Sequence, residues 1–299
     1  MKKKEITLIL VLFLSFCFFG CSKKRVLEGY VIDAFQKKPL TEKKVWIDQK
    51  EYLTDQQGRF ETDGILPESV SIKIDGDERF EAFSDQIILH QQHNLRKFEI
   101  RARHPLDLPH EKSYLPYSYS LLLKSGKDNS YNDVSLAISG IPADQSFETK
   151  GVYLDQQTKQ PVTQHLLQLG FNFWYKDEYQ NWQYSSMPPI DIPIWGMMID
   201  SYVSAMYEFY YNLDYSYQVD PEEQVIRGEK VRKIIIKPLN DTNLFKEMTI
   251  FMVTEGINQG AVWEALLVLE EHAWLGPRVQ ISFLEVNTSI ILNPPEITH

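Results

Sequence analysis

The chain has 299 residues and a formal net charge of −10, an acidic balance that excludes a nucleic-acid-binding surface of the ordinary basic kind. Its two cysteines, Cys17 and Cys21, both lie in the first stretch, so the rest of the chain offers no disulfide, cysteine-bound zinc or thiol nucleophile. At 43% hydrophobic, with 16 Tyr, 16 Phe and 6 Trp, it carries enough apolar surface to fold by packing, and its length allows two domains.

Residues 1–20 read as a signal peptide. Lys2, Lys3 and Lys4 open the chain, and an apolar run follows from Ile6 to Phe19. That run suits a secretory h-region and is short for a membrane span. Phe18-Phe19-Gly20-Cys21 resembles a bacterial lipobox, with bulkier residues than usual before Gly20. The resemblance implies cleavage before Cys21 and a lipid, palmitate among its acyl chains, on that cysteine. An ordinary signal peptide and an uncleaved anchor are the other readings, and each also exports the chain. Cleavage removes three Lys and one Glu, taking the net charge from −10 to −12. Such a surface disfavours anionic head groups, so the lipid on Cys21 is the expected membrane link. Ser22 resembles a signal for the outer membrane where a cell has two. The expected location is the cell envelope, lipid-anchored, in the outer membrane facing the periplasm or the cell surface.

Residues 21–103 read as a β-sandwich of about seven short strands after a polar tether at 22–25. Strands are expected at 26–33, 44–48, 69–74, 87–89 and 95–100, with a tight hairpin at 54–60 between residues 52–53 and 60–61. Asp55 can bond its own backbone there, and Gly58 can take positive φ. The series Gly29-Tyr30-Val31-Ile32-Asp33, Pro39-Leu40, Val45, Thr54-Asp55, Gly58 and Phe60 resembles the carboxypeptidase regulatory-like (transthyretin-like) family. Thr41-Glu42-Lys43-Lys44 departs from that family's usual Gly-Ala after Pro-Leu. The resemblance implies a non-catalytic sandwich; an unrelated small sandwich has the same practical meaning.

Residues 104–110 hold Pro105 and Pro109 without periodicity and read as an extended linker, the expected preferred site of proteolysis. The second domain is expected over 111–299. Strands are expected at 132–140, 148–154, 168–176, 180–184, 224–227, 230–237, 246–253, 261–269, 278–286 and 289–292. Leu115 to Lys124 reads equally as helix or strand. From Ile194 to Leu213 the apolar residues fall at helical spacing, behind Pro188, Pro189 and Pro193, with Asp200 and Glu208 on the opposite face. The fold expected is therefore mainly β: an N-terminal sandwich, then a curved antiparallel half-barrel sheet covered by one long helix. That order, the aromatic hairpin at Trp174 and Trp182, the helix 195–213, Gly228-Glu229-Lys230-Val231 and the ending Asn293-Pro294-Pro295 resemble the LolA-like and LppX/LprG-like lipoproteins and lipoprotein carriers. The resemblance implies acyl chains held between sheet and helix.

No H-E-x-x-H, G-x-S-x-G, P-loop or G-x-G-x-x-G is present. His90 and His93 read as a polar loop, and His272 after Glu270-Glu271 as a solvated strand end. No metal and no cofactor is expected, and no enzyme. The candidate apolar-ligand residues are Trp174, Trp182, Trp195, Met198, Tyr202, Met206 and Phe209; Met and aromatics suit an adaptable pocket. The same stripe equally suits a filled core. The function expected is non-covalent binding of a lipid or another apolar ligand by a membrane-anchored lipoprotein, with an envelope protein as a candidate partner. The alternative is a ligand-free envelope scaffold or adhesion lipoprotein.

Overall fold

The structure, a computed structural model, describes residues 25–90, 92–109, 114–128, 131, 133–155, 158, 160–189, 193–240, 245–269 and 275–295. The expected signal peptide, Cys21 and the tether up to Lys24 lie outside the described residues, as do Glu270, Glu271 and His272. The chain divides into two compact units, one ending at Arg103 and one beginning at His104.

The first unit is two layers of strand. β1 (Arg25–Asp33), β4 (Arg59–Glu61) and β7 (Gln92–Ile100) form one sheet in the order β4-β1-β7. β2 (Lys44–Ile47), β3 (Lys50–Leu53), β5 (Ser69–Ile74) and β6 (Phe83–Ile88) form the other, in the order β3-β2-β5-β6. β1 runs parallel to β7, and the remaining pairs are antiparallel. Alternation sets the core: Val70, Ile72 and Ile74 are buried while Ser69, Ser71 and Lys73 are exposed. Phe83 of one sheet meets Phe98 of the other edge to face at 5.9 Å.

The motif residues do structural work. A Cβ at Gly29 would lie 2.2 Å from Phe60 Cε1 and 2.9 Å from Phe98 Cε2. Glycine there lets both rings cross the β1 backbone. Asp33 Oδ1 accepts the Phe35 N–H at 2.9 Å, and Thr54 Oγ1 donates to Leu40 O at 2.7 Å. Asp55 Oδ1 accepts from Gln57 N and Arg59 N at 2.9 and 2.8 Å, and Gly58 has φ +70° with Val31 O only 2.5 Å from where a Cβ would sit. The turn is the one expected, but its flanks do not pair as a hairpin. β3 bonds to β2 and β4 bonds to β1, so residues 54–58 carry the chain from one sheet to the other. Turn chemistry specifies a reversal; it does not specify the partner.

The second unit is one eleven-stranded sheet. Its strands are β8 (Tyr119–Gly126), β9 (Val134–Ile141), β10 (Ser146–Leu154), β11 (Pro161–Leu169), β12 (Asn172–Lys176), β13 (Trp182–Ser185), β14 (Tyr215–Ile226), β15 (Glu229–Pro238), β16 (Glu247–Val253), β17 (Val262–Val268) and β18 (Arg278–Val286). The order is β13-β12-β11-β10-β9-β8-β18-β17-β16-β15-β14, antiparallel throughout. β13 and β14 are its two edges, so the sheet is not closed. One helix, α1 (Trp195–Glu208), follows β13 and passes into a 3₁₀ turn at Phe209–Tyr211.

Several boundaries differ from the expectation. Of the stretch Leu115 to Lys124, residues 119–124 are strand, in β8, and residues 115–118 are irregular. The strand expected over 168–176 is two strands, β11 and β12, reversing at Gly170 (φ +59°) with Phe171 thrown out to solvent. β11 is hard to read because Gln164, His165 and Gln168 interrupt its apolar pattern. β14 begins at Tyr215 rather than at 224; it is a long polar edge strand with a bulge between Val219 and Glu223, and an edge does not need apolar alternation. Residues 289–292 form no strand. The segment expected as a free linker is partly buried: His104 packs its ring on Tyr114 and Tyr210 at 5.0 and 4.9 Å, and Leu108 is buried. An aromatic cluster in the second unit offsets what two prolines alone suggest.

Candidate functional site

The face of the large sheet beneath α1 is apolar across most of its width. Leu136, Leu123, Ile281, Ala265, Ile250 and Ile234 stand side by side on six neighbouring strands, from β9 to β15. All six have 0% exposure. Continued one way through Gly151, this row reaches Gln164 on β11, where it becomes polar.

α1 crosses this face. At its start, Trp195 lies edge-on to Tyr153 of β10 at 5.8 Å, and Gly196 sits on Phe147 so closely that a Cβ would lie 2.6 Å from Phe147 Cγ. In its middle, Tyr119 of β8 donates to Asp200 Oδ1 at 3.2 Å. Near its end, the Val262 N–H of β17 donates to Tyr207 Oη at 2.8 Å. Fourteen residues span about 21 Å, and the four strand spacings from β10 to β17 span about 19 Å, so the helix is the right length for the crossing. Just beyond it, Phe209 meets Tyr217 of edge strand β14 at 5.2 Å. A side chain two residues from Tyr207 can touch a strand three places past β17 only if the sheet curls toward the helix. The β14–β15 turn confirms the curl: Arg227 donates to Phe283 O and Trp263 O at 2.7 and 2.6 Å and stacks over the Trp263 ring.

Electrostatics at the crossing follow from burial. Burial raises the Tyr119 phenol, and the neighbouring Asp200 carboxylate adds to the rise. Burial also raises Asp200, against the pull of the Tyr119 hydrogen bond. Tyr207 is raised by the same cause. On the opposite face, the His165 hydrogen bond and then Lys150 hold Glu148 down at about 2.

The sequence-predicted residues separate into two groups. Trp195, Tyr202, Met206 and Phe209 are buried beneath or along α1, and Met198 is half-buried there. Trp174 and Trp182 are not with them. Trp174 pairs with Leu167, whose register puts it on the face away from Phe147 and α1, and its ring meets Tyr184 at 5.3 Å. Trp182 shares that outer face and packs on His165 at 4.5 Å. The split follows from strand alternation once the turn at Gly170 is placed. Asp200, expected on the outward face, instead turns toward β8; nothing in the helical spacing marks a carboxylate that a Tyr will meet. Tyr119, Tyr207 and Gln164 were not singled out from the sequence. No group of His, Cys, Asp or Glu placed to hold a metal occurs among the described residues, and among them no helix is long and apolar enough to cross a membrane.

No protein-family model matches the chain, and no curated protein matches it. Among solved structures it is similar to LprF from Mycobacterium bovis, at 10% identity and TM-score 0.43, over 61% of this chain and 91% of that one. It is also similar to the Mycobacterium tuberculosis lipoprotein LppX, at 16% identity and TM-score 0.36, over 60% and 90%. A LolA superfamily protein from Nitrosomonas europaea is similar at 8% identity and TM-score 0.23, over 64% and 90%. Likenesses this distant assign no ligand and no site residue.

Proposed function

We propose that this chain is an exported lipoprotein, held in the cell envelope by a lipid on Cys21, whose second unit binds a lipid or other apolar molecule non-covalently between α1 and the covered sheet face. In this reading it is a binding protein rather than an enzyme and needs no cofactor. The first unit, a carboxypeptidase regulatory-like sandwich, is a spacer or docking module. The observation that carries the reading is the apolar row from Leu136 to Ile234 under a single helix. That helix has no side-chain cap at its N-terminus, no acidic residue in its first turn and no basic residue in its last. An uncapped helix of this length is marginal on its own, so α1 is helical because it is docked. A ligand offering the same apolar surface can take its place.

A second reading is favoured by one observation. Ile199, Met206 and Phe209 have no exposed surface, so side chains fill the space beside them. A permanently filled interface is what a ligand-free envelope scaffold would have. The two readings part in native mass spectrometry of the Cys21→Ser protein purified without detergent. The carrier reading expects an added mass that organic extraction removes and that an extracted lipid restores. The same substitution is expected to abolish stable membrane partition, since a doubly acylated anchor exceeds the two-signal threshold. Bare polypeptide mass throughout, with no lipid uptake, would leave the scaffold; normal cleavage with unchanged membrane partition would remove the anchor.

A further inference from the structure

Eleven antiparallel strands send their turns to two ends of the large sheet, and the register says which turn goes where. The starts of β8, β10, β12, β15 and β17 lie at one end with the finishes of β9, β11, β13, β14, β16 and β18.

The two ends differ in chemistry. At this one, apolar side chains stand out from one turn after another. In sheet order they are Met187 beyond β13, Phe171 between β11 and β12, Leu115 and Tyr117 before β8, Ile291 beyond β18, and Ile257 between β16 and β17. Met187, Phe171, Ile291 and Ile257 are 71, 79, 80 and 94% exposed. Gly170 (φ +59°) and Gly256 (φ +85°) make the tight reversals that put Phe171 and Ile257 at turn tips. The charged residues among the described turn residues of this end are Asp144, Arg227 and Glu255. Glu255 is paired with Lys230 at 2.8 Å, and Arg227 is turned onto the Phe283 and Trp263 carbonyls. At the other end the described turns carry Asp128, Asp133, Asp155, Asp177, Glu178 and Asp214 against Lys127 and Lys246, and their exposed large apolar side chains are Tyr179 and Leu239. A single exposed apolar residue needs no explanation; a gathering of them at the end poor in charge does.

We propose that this end of the second unit seats in the interface of a neutral lipid bilayer. From β13 to β16 the tips follow eight strand spacings, an arc of about 38 Å, with Asn, Ser, Thr and Pro between them. A fluid surface takes such separated side chains one by one, each reaching about 5–10 Å past the headgroups. A folded partner would need a matching hollow for each. Tyr117 suits headgroup depth, with an exposed ring and a phenol that donates to Asn287 O. The charges select the lipid. Arg227 is spent on carbonyl oxygens, and a chain of net charge −10 is repelled by an anionic surface. A lipid on Cys21, in the reading above, holds the chain at a bilayer and lets weak contacts suffice. The seat itself needs neither that anchor nor a ligand under α1.

The test is flotation of the Cys21→Ser protein, freed of residues 1–20, with phosphatidylcholine vesicles. The folded protein is expected to float with them, and less when phosphatidylglycerol is mixed in. Phe171→Ser with Ile257→Ser should weaken partition about tenfold. Tyr179→Ser with Leu239→Ser, at the opposite end, should leave it unchanged. Ile257→Ser alone, at a side chain almost wholly in solvent, carries the test if the pair folds poorly. Apolar-probe binding should survive the Phe171 and Ile257 changes, which separates failure of this seat from failure of the site under α1. No flotation of the folded protein on neutral vesicles, or flotation indifferent to the Phe171 and Ile257 changes, overturns the proposal. Self-association that these changes abolish, without vesicle binding, assigns the surface to a second copy of the chain and overturns it equally.

Discussion

Gly29→Val is expected to move the unfolding transition of the first unit to much lower denaturant while the second keeps its own. Gly29 lies at the centre of β1, between β4 and β7, and the Phe60 and Phe98 rings stack across it at 5.9 Å. Both rings are almost fully buried, so neither can swing into open space. A branched side chain at 29 must push both out of the core of a small sandwich. Overpacking of this kind costs about 3 kcal/mol, a large share of the roughly 5–15 kcal/mol that holds an ordinary domain folded. The measurement is denaturant unfolding followed by Trp46, in the first unit, and by the tryptophans of the second. A large shift of the first transition to lower denaturant, with the second unmoved, is the expected outcome. An unchanged first transition would mean that the packing around Gly29 is not as described.

Met206→Ala is expected to lower the stability of the second unit by about 2–5 kcal/mol, the range for emptying a buried Met site. It is also expected to tighten the binding of apolar ligands. Met206 is fully buried beneath α1. A ligand that must displace a docked helix binds with its intrinsic affinity reduced by the cost of undocking. Weakening the docking lowers that cost. The opposite change, Met206→Trp, overfills the same space at about 1–3 kcal/mol. Thermal melts and titration with an environment-sensitive apolar probe read both effects. Lower stability without any gain in probe affinity would separate packing from binding and favour the scaffold.

Much of the architecture is legible in the amino-acid pattern, because alternation and turn chemistry are local. β5 can be read from Ser69 to Ile74 alone, and α1 from the spacing of Trp195, Ile199, Tyr202, Val203 and Met206. Pairing is not local. Nothing within residues 52–61 says that β3 and β4 belong to different sheets. Facing is legible only when the register is right. Reading 168–176 as one strand hides the reversal at Gly170 and with it β11, so Trp174 and Trp182 are grouped with α1 although they lie on the other face. The Tyr119–Asp200 and Tyr207–Val262 contacts join residues 81 and 55 positions apart. Only the folded sheet brings them together.

The central claim is that α1 is a displaceable cover over an apolar sheet face. Hydrogen exchange of residues 195–211 in the Cys21→Ser protein, measured with and without a saturating apolar probe, tests it most directly. The account predicts saturable binding, together with a change of exchange in α1 and in the facing amides of β8 and β17. Exchange that stays the same along α1 at saturation, or a folded protein that binds no probe, would contradict it.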